Sequence, residues 1–168
     1  MIDVEQLNTW SPAEAQAAFL RCCGAVRWAG QMTARRPYRD EHELLDAAAE
    51  IWQGLGPDDW LQAFAAHPRI GDVEGLRAKF AATTAWSKAE QAGMAGATED
   101  VLRALAEGNR AYETKFGYIF IVCATGKSAS EMLALLRDRL SHDPQEELRF
   151  AAGEQAKITR LRLQKLCS

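Results

Sequence analysis

The sequence predicts an all-α protein: a single compact domain of about seven to nine helices, with no β-sheet. Helix start signals, in which a short polar residue is followed three positions later by glutamate, recur along the chain. Apolar residues return at helical spacing in segments such as 57–66. Only residues 118–123 have a β-like composition, and one isolated run cannot form a sheet. We therefore expect this run to be a buried extended or irregularly helical segment.

Start and stop signals divide the chain into individual helices. Five polar residues can cap a first helical turn: Ser11, Asp40, Ser87, Ser128 and Asp143. Two prolines occupy first helical positions, where the missing N–H is not needed: Pro12 and Pro144. Three glycines fall where helices should end: Gly24, Gly54 and Gly117. The predicted helices cover residues 12–23, 25–35, 41–53, 57–66, 73–80, 88–95, 99–116, 129–141 and 144–166.

Length and composition are those of one globular domain over residues 1–168. A net charge of −3 argues against a nucleic-acid partner. The longest apolar run, 118–124, is too short to span a bilayer, so no membrane partner is expected. The amino terminus lacks the layout of a signal peptide, and the carboxyl terminus lacks a peroxisomal address. These features predict a cytoplasmic, bacterial protein.

Cysteine and histidine spacing predicts neither disulfides nor a metal site. The four cysteines, at 22, 23, 123 and 167, form no C-x-x-C pair, and we expect all four to be reduced. The three histidines, at 42, 67 and 142, lack the spacing of zinc ligands.

A lone histidine lies where a helix must end, in the stretch 66–72. Pro68 disfavours the α conformation for His67, so the imidazole should leave the helix end and face an open space. The carbonyl end of a helix also favours the imidazolium form. The position suits a proton donor or acceptor, and the alternative is a simple helix terminator.

Each of two further segments has both a structural and a functional interpretation. Ser87 and Glu90 form a capping box, yet a helix amino terminus also presents N–H groups that bind anions and polarised oxygens. On the last predicted helix, Arg162 shares an apolar stripe with Leu148, Ala151, Gln155, Ile158 and Leu166. A buried guanidinium needs either a carboxylate partner or an anionic ligand.

Taken in order, the segments 66–72, 87–94, 109–124 and 154–163 resemble the family of 2-oxo-4-hydroxy-4-carboxy-5-ureidoimidazoline (OHCU) decarboxylases, bacterial type. The resemblance covers nearly the whole chain and is strongest from His67 to Leu163. It implies a carboxy-lyase that converts OHCU to (S)-allantoin and CO2 in urate degradation, without metal or organic cofactor. It also implies a small-molecule substrate as the partner, and a homodimer.

The resemblance assigns the site residue by residue. His67 and Glu90 are the expected acid–base groups, and which of the two transfers the proton stays open. The other substrate contacts that it implies are Pro68, Ser87, Lys88, Ala89, Gln91, Phe120, Ile121, Val122, Cys123, Ala124 and Arg162. Two positions depart from the pattern: Gly108, where relatives commonly have leucine, and Arg69, where some have aspartate.

Two other functions remain compatible with the residues. The first is a helical protein-interaction domain, in which the same motifs serve only caps and core. The second is a lyase or hydrolase that acts on a related ureido-imidazoline.

Overall fold

The computed structural model describes residues 2–69, 73–81 and 88–167, with side chains for 2–69, 73–79 and 99–167. These residues form nine helices and no strand, which confirms the all-α class. The helices are α1 Val4–Thr9, α2 Pro12–Cys22, α3 Val26–Ala34, α4 Glu41–Gln53, α5 Pro57–Ala65, α6 Val73–Ala81, α7 Lys88–Phe116, α8 Ala129–Arg139 and α9 Pro144–Cys167. In the described part of the chain, no helix is both long enough and apolar enough to cross a bilayer.

Two helix predictions were wrong. The short α1 was missed, although Asp3 caps it by accepting a hydrogen bond from Gln6 N at 2.7 Å. The predicted helices 88–95 and 99–116 are one continuous helix, α7. Glycine inside a helix lowers its stability without breaking it, so Gly93 and Gly96 do not end α7.

The capping signals were well placed. Ser11 and Ser128 each form a complete capping box at the start of α2 and α8. Asp40 accepts from Glu43 N at 2.8 Å at the start of α4. Asp143 Oδ1 accepts from two backbone N–H groups in the first turn of α9. Ser87 lies outside the described residues.

The chain divides into two compact units, and a single domain over 1–168 stays a prediction. Unit 1 comprises residues 1–67, 121–123 and 148–168. Its core is built where α3 packs against α2, α4 and α5. Trp28 is fully buried there, meets Phe19 edge to face at 6.0 Å, and donates from Nε1 to Ala48 O at 3.1 Å. Trp52 on α4 donates to Ala152 O on α9 at 2.9 Å.

Unit 2 comprises residues 68–120 and 124–147, and its helix α7 packs against α6 and α8. The contact of α7 with α8 is close at Gly108, where a Cβ atom would lie 2.6 Å from Leu136 Cδ2. A leucine here would displace Leu136, so this departure from the family pattern fits the local packing. Arg69, the other departure, forms an ion pair with Glu113.

Unit 2 also contains a charged cluster, in which Tyr112, Arg139 and Glu147 are buried and His142 is partly buried. Arg139 Nε donates to Glu147 Oε1 at 2.7 Å, and the Tyr112 hydroxyl donates to the same oxygen. His142 Nδ1 lies 2.8 Å from the other carboxylate oxygen. The Arg139 guanidinium also lies 4.5 Å from the centre of the Phe120 ring. Every member of the cluster therefore has a polar partner, as buried charges require.

Candidate functional site

His67 lies one residue beyond the cap of α5, as the His-Pro step predicted. Its backbone N–H donates to Phe64 O at 3.2 Å, which closes the last turn of the helix. The ring is half-buried, and its Nε2 lies 2.6 Å from Gln155 Oε1, while an open space in front of the ring stays a prediction. The end of α5 therefore places His67 against α9, and the ring is not fully exposed to solvent.

Gln155 continues a short polar chain inside unit 1. Its side chain is fully buried, and its Nε2 donates to Thr159 Oγ1, one helical turn along α9, at 3.1 Å. Burial raises the pKa of the neighbouring Cys23 thiol, while the Ala25 backbone and the Thr159 side chain act in the opposite direction. We call the series His67, Gln155, Thr159 the amide chain.

Gly24 allows the turn after α2 to approach the end of α5 that carries His67. A Cβ atom on Gly24 would lie 2.2 Å from Ala66 Cβ, far inside the contact distance of two methyl groups. Any larger residue at position 24 would therefore push away the helix end next to His67. Sequence analysis identified Gly24 only as a helix stop.

The irregular segment after α7 also contacts α9 within unit 1. Residues 118–123 have neither helix nor strand conformation, as expected for an irregular segment, but only Ile121 and Cys123 are buried. One backbone N–H group of this segment is engaged by a side chain of α9. Cys123 N donates to Glu154 Oε2 at 2.8 Å, and Glu154 Oε1 also accepts from Lys157 at 2.6 Å. Glu154 thus binds the segment, at Cys123, to the helix that carries Gln155.

Arg162 lies at the edge of the buried face of α9, where it is half-buried. The predicted stripe was displaced around the helix, because its members Leu148, Ile158 and Leu166 are also only half-buried. Arg162 donates to Cys22 O at 3.3 Å, and among the described residues it has no carboxylate partner. A structural ion pair, one of the two predicted roles, therefore has no support in the described residues.

The remaining site predictions fall into two groups. Ser87 lies outside the described residues, as do the side chains of Lys88, Ala89, Glu90 and Gln91. In unit 2, Pro68 is exposed, whereas Phe120 and Ala124 are half-buried. Phe120 packs edge to face on Tyr112, with ring centres 5.2 Å apart.

Three buried polar residues of α9 were missed as site residues: Glu154, Gln155 and Thr159. One sequence signal could have found Gln155 and Thr159, namely two polar residues four positions apart among the apolar positions of a long helix. Gln155 was placed on the buried face, but its contact with His67 was not foreseen, because 88 positions separate the two residues. No group of three or more His, Cys, Asp or Glu among the described residues could hold a metal ion.

A family model matches most of the chain. The model of the OHCU decarboxylases matches residues 8–164, which include His67, Gln155 and Arg162. The chain belongs to the OHCU decarboxylase family. A crystal structure of an OHCU decarboxylase in the presence of (S)-allantoin shares 39% identity with the chain and has a TM-score of 0.71. The match covers 89% of this chain and 96% of that one.

Curated relatives of the family agree in sequence. The OHCU decarboxylase of Amia calva is 32% identical, over 97% of this chain and 93% of its own length. The uric acid degradation bifunctional protein TTL of Arabidopsis thaliana is 41% identical, over 88% of this chain. The chain spans only 45% of that bifunctional relative.

Proposed function

We propose that this protein decarboxylates OHCU to (S)-allantoin and CO2 in urate degradation. The observation that carries the proposal is the family match over residues 8–164, with His67 held by hydrogen bonds at the end of α5. A positioned imidazole is the group that proteins use most often for proton transfer near neutral pH.

The proposed chemistry needs no cofactor. The bond between the carboxylate carbon and the ring breaks, and its electron pair moves toward the adjacent ring carbon–nitrogen double bond. CO2 leaves, an enol-like intermediate forms, and a proton is added to the neighbouring carbon on one face. The protein has to orient the carboxylate, stabilise the intermediate and move the protons.

His67 is proposed to hydrogen-bond the substrate hydroxyl and to exchange its proton. Arg162 is proposed to orient the substrate's carbonyl and ureido oxygens, since a guanidinium offers a planar pair of donors. Its partner among the described residues is a backbone carbonyl, so its charge is not neutralised by a carboxylate there. Glu90 stays the proposed second acid–base group, and Pro68 and the contacts in 87–91 and 120–124 stay predictions.

Circular dichroism of allantoin formation tests the activity. Urate is oxidised in situ by the upstream enzymes, because OHCU decays spontaneously to racemic allantoin. We expect the protein to accelerate the reaction and to produce the optical signal of one enantiomer. A racemic product formed at the spontaneous rate would favour the interaction domain, whereas a different ureido product would favour the related lyase or hydrolase.

We also propose that the protein is of the bacterial type, acts in the cytoplasm and forms a homodimer. The resemblance in the segments 66–72 to 154–163 supports these proposals. Light scattering coupled to size-exclusion chromatography tests the dimer, for which we expect twice the chain mass of 18.6 kDa. A mass of one chain at micromolar concentration would contradict it.

A further inference from the structure

The amide of Gln155 lies between His67 and Thr159 with both of its polar ends occupied. Its oxygen is 2.6 Å from His67 Nε2, and its nitrogen donates to Thr159 Oγ1 at 3.1 Å. A buried amide is unfavourable unless both ends are hydrogen-bonded, so these two contacts determine how the group is held. An amide can be turned end for end at little steric cost, and its direction therefore needs a cause.

Thr159 supplies that cause. Its hydroxyl oxygen accepts a hydrogen bond from Gln155 Nε2 at 3.1 Å. Only the NH₂ end of an amide can donate, so this contact turns the nitrogen of Gln155 toward Thr159 and the amide oxygen toward His67.

The direction of the Gln155 amide determines which ring nitrogen of His67 carries a hydrogen. An amide oxygen only accepts hydrogen bonds, so the ring nitrogen that contacts it must carry a hydrogen. That nitrogen is Nε2. In the neutral ring the lone pair is then on Nδ1.

We propose that Gln155, oriented by Thr159, is a positioning residue that holds His67 in the Nε2–H tautomer, so that Nδ1 is the nitrogen that exchanges a proton with the substrate. The substrate part of this inference rests on the proposed function, whereas the tautomer does not. Nε2 keeps its hydrogen in both charge states of the ring, so the contact with Gln155 survives each proton transfer. A carboxylate in the same place would instead favour the imidazolium form.

Nuclear magnetic resonance of the full-length protein, labelled with ¹⁵N in its histidine rings, tests the tautomer directly. The signals of His67 are assigned by their loss in His67→Asn. At a pH where the ring is neutral, we expect Nε2 to show the shift of a protonated nitrogen and Nδ1 that of an unprotonated one. A protonated Nδ1 with a bare Nε2 would overturn the inference.

Thr159→Val tests the origin of the direction, since it removes the hydroxyl and nearly keeps the side-chain shape. We expect the amide to lose its fixed direction and the Nδ1–H tautomer to become visible. Thr33→Val is the matched control, because the Thr33 hydroxyl also lies within unit 1 and donates only to Ala29 O on α3. An unchanged Nε2–H tautomer in Thr159→Val would overturn the role of Thr159.

Kinetics of Gln155→Leu and Gln155→Glu connect the tautomer to turnover. We expect Gln155→Leu to lower kcat by up to about 100-fold with little change in KM, as expected for a misplaced proton-transfer group. Gln155→Glu keeps an acceptor, so it should recover part of that kcat and should raise the pKa of His67 in the same spectra. Gln62→Glu, at an exposed amide that accepts from Val26 N, is the control for added charge. Parent kcat in Gln155→Leu would overturn the positioning role.

The experiments separate the two hypotheses. If the parent protein lacks decarboxylase activity but shows the Nε2–H tautomer, the proposed function is wrong and the inferred tautomer is supported. An active parent with the Nδ1–H tautomer would overturn this inference alone.

Discussion

Each of the two units holds a partly buried histidine in a polar cluster, but the two clusters differ in chemistry. In unit 1, His67 contacts a neutral amide that is itself held by a hydroxyl. In unit 2, His142 contacts the carboxylate of Glu147, which also binds Arg139 and Tyr112. The amide chain carries no formal charge apart from that of its histidine, whereas the charged cluster contains a complete ion pair.

The neutral partner of His67 allows its ring to gain and lose a charge. Arg139 and Glu147, in contrast, must both stay charged. A neutral acceptor accommodates both charge states of an imidazole, so His67 is suited to proton transfer. The ion pair of Arg139 and Glu147 is almost completely buried, and neutralising either partner would leave the other uncompensated. The charged cluster is accordingly a structural feature, and the substitutions below should affect activity in unit 1 and stability in unit 2.

The largest effect is expected on activity, from His67→Asn. Turnover should fall by about 10²–10⁴, the usual contribution of a positioned acid–base group, while the melting temperature stays close to that of the parent. Initial rates and thermal unfolding check this. His42→Asn is the matched control, because His42 is exposed and pairs only with Asp46. Near-parent turnover in His67→Asn would remove His67 from the mechanism.

The largest effect on stability is expected from Arg139→Met. It leaves the buried carboxylate of Glu147 without its guanidinium partner, which should lower the free energy of unfolding by about 3–5 kcal/mol. Chemical denaturation measures this, with Arg137→Met, at an exposed position two residues away, as the control. The double change Arg139→Met with Glu147→Leu should recover part of the loss, because no buried charge is left without a partner, while Tyr112 and His142 lose their carboxylate acceptor. An effect below about 1 kcal/mol would contradict the structural role of the pair.

Arg162→Met is expected to lose turnover and keep its stability, like His67→Asn and unlike Arg139→Met. Among the described residues no carboxylate would be left unpaired, so the protein should melt within a few degrees of the parent. Turnover should fall by at least about tenfold, because oxygen-orienting hydrogen bonds of a charged donor are lost. Arg160→Met, on the exposed side of the same helix, is the control. Unfolding of Arg162→Met at ordinary temperature would assign Arg162 to the scaffold.

The smallest effect is expected on the pH dependence of the free energy of unfolding, in the part that comes from Tyr112 and that Tyr112→Phe should remove. Burial, and then the hydrogen bond to Glu147, raise the pKa of Tyr112 above its ordinary value. Above about pH 10 the unfolded chain loses this proton while the folded chain keeps it, so stability falls as the pH rises. The stability difference between parent and Tyr112→Phe should be constant from pH 7 to 9 and then change by at most about 1.4 kcal/mol per pH unit. Denaturation at several pH values measures it, and a constant difference up to pH 11 would contradict the raised pKa.

The sequence predicted the helices well wherever local signals control them. Ser11, Asp40 and Ser128 each cap a helix through their own first turn, and Pro68 ends the segment that carries His67. Prediction failed where the decisive contacts are distant. The short helix α1 has two buried residues, Val4 and Leu7, and a six-residue helix does not persist without such packing.

Within the site, the sequence identified His67 and Arg162 as candidate residues and indicated the family that the chain resembles. Tertiary structure decided what they touch. The buried face of α9 is set by the surfaces that cover it, so the apolar pattern alone placed Arg162 too far inside. Likewise, the contact between Gln155 and His67 joins positions 88 residues apart, and nothing local to either residue specifies it.

By itself, then, the sequence determined the all-α class, most helix boundaries and a histidine at a helix end, because caps, prolines and periodicity act within a few residues. Only the tertiary structure decided that this histidine contacts an oriented amide, and that a full ion pair is buried around Glu147. Hydrogen bonds between distant side chains depend on atomic distances of a few tenths of an ångström. Such distances are set when helices pack, and they leave no local trace in the order of the residues.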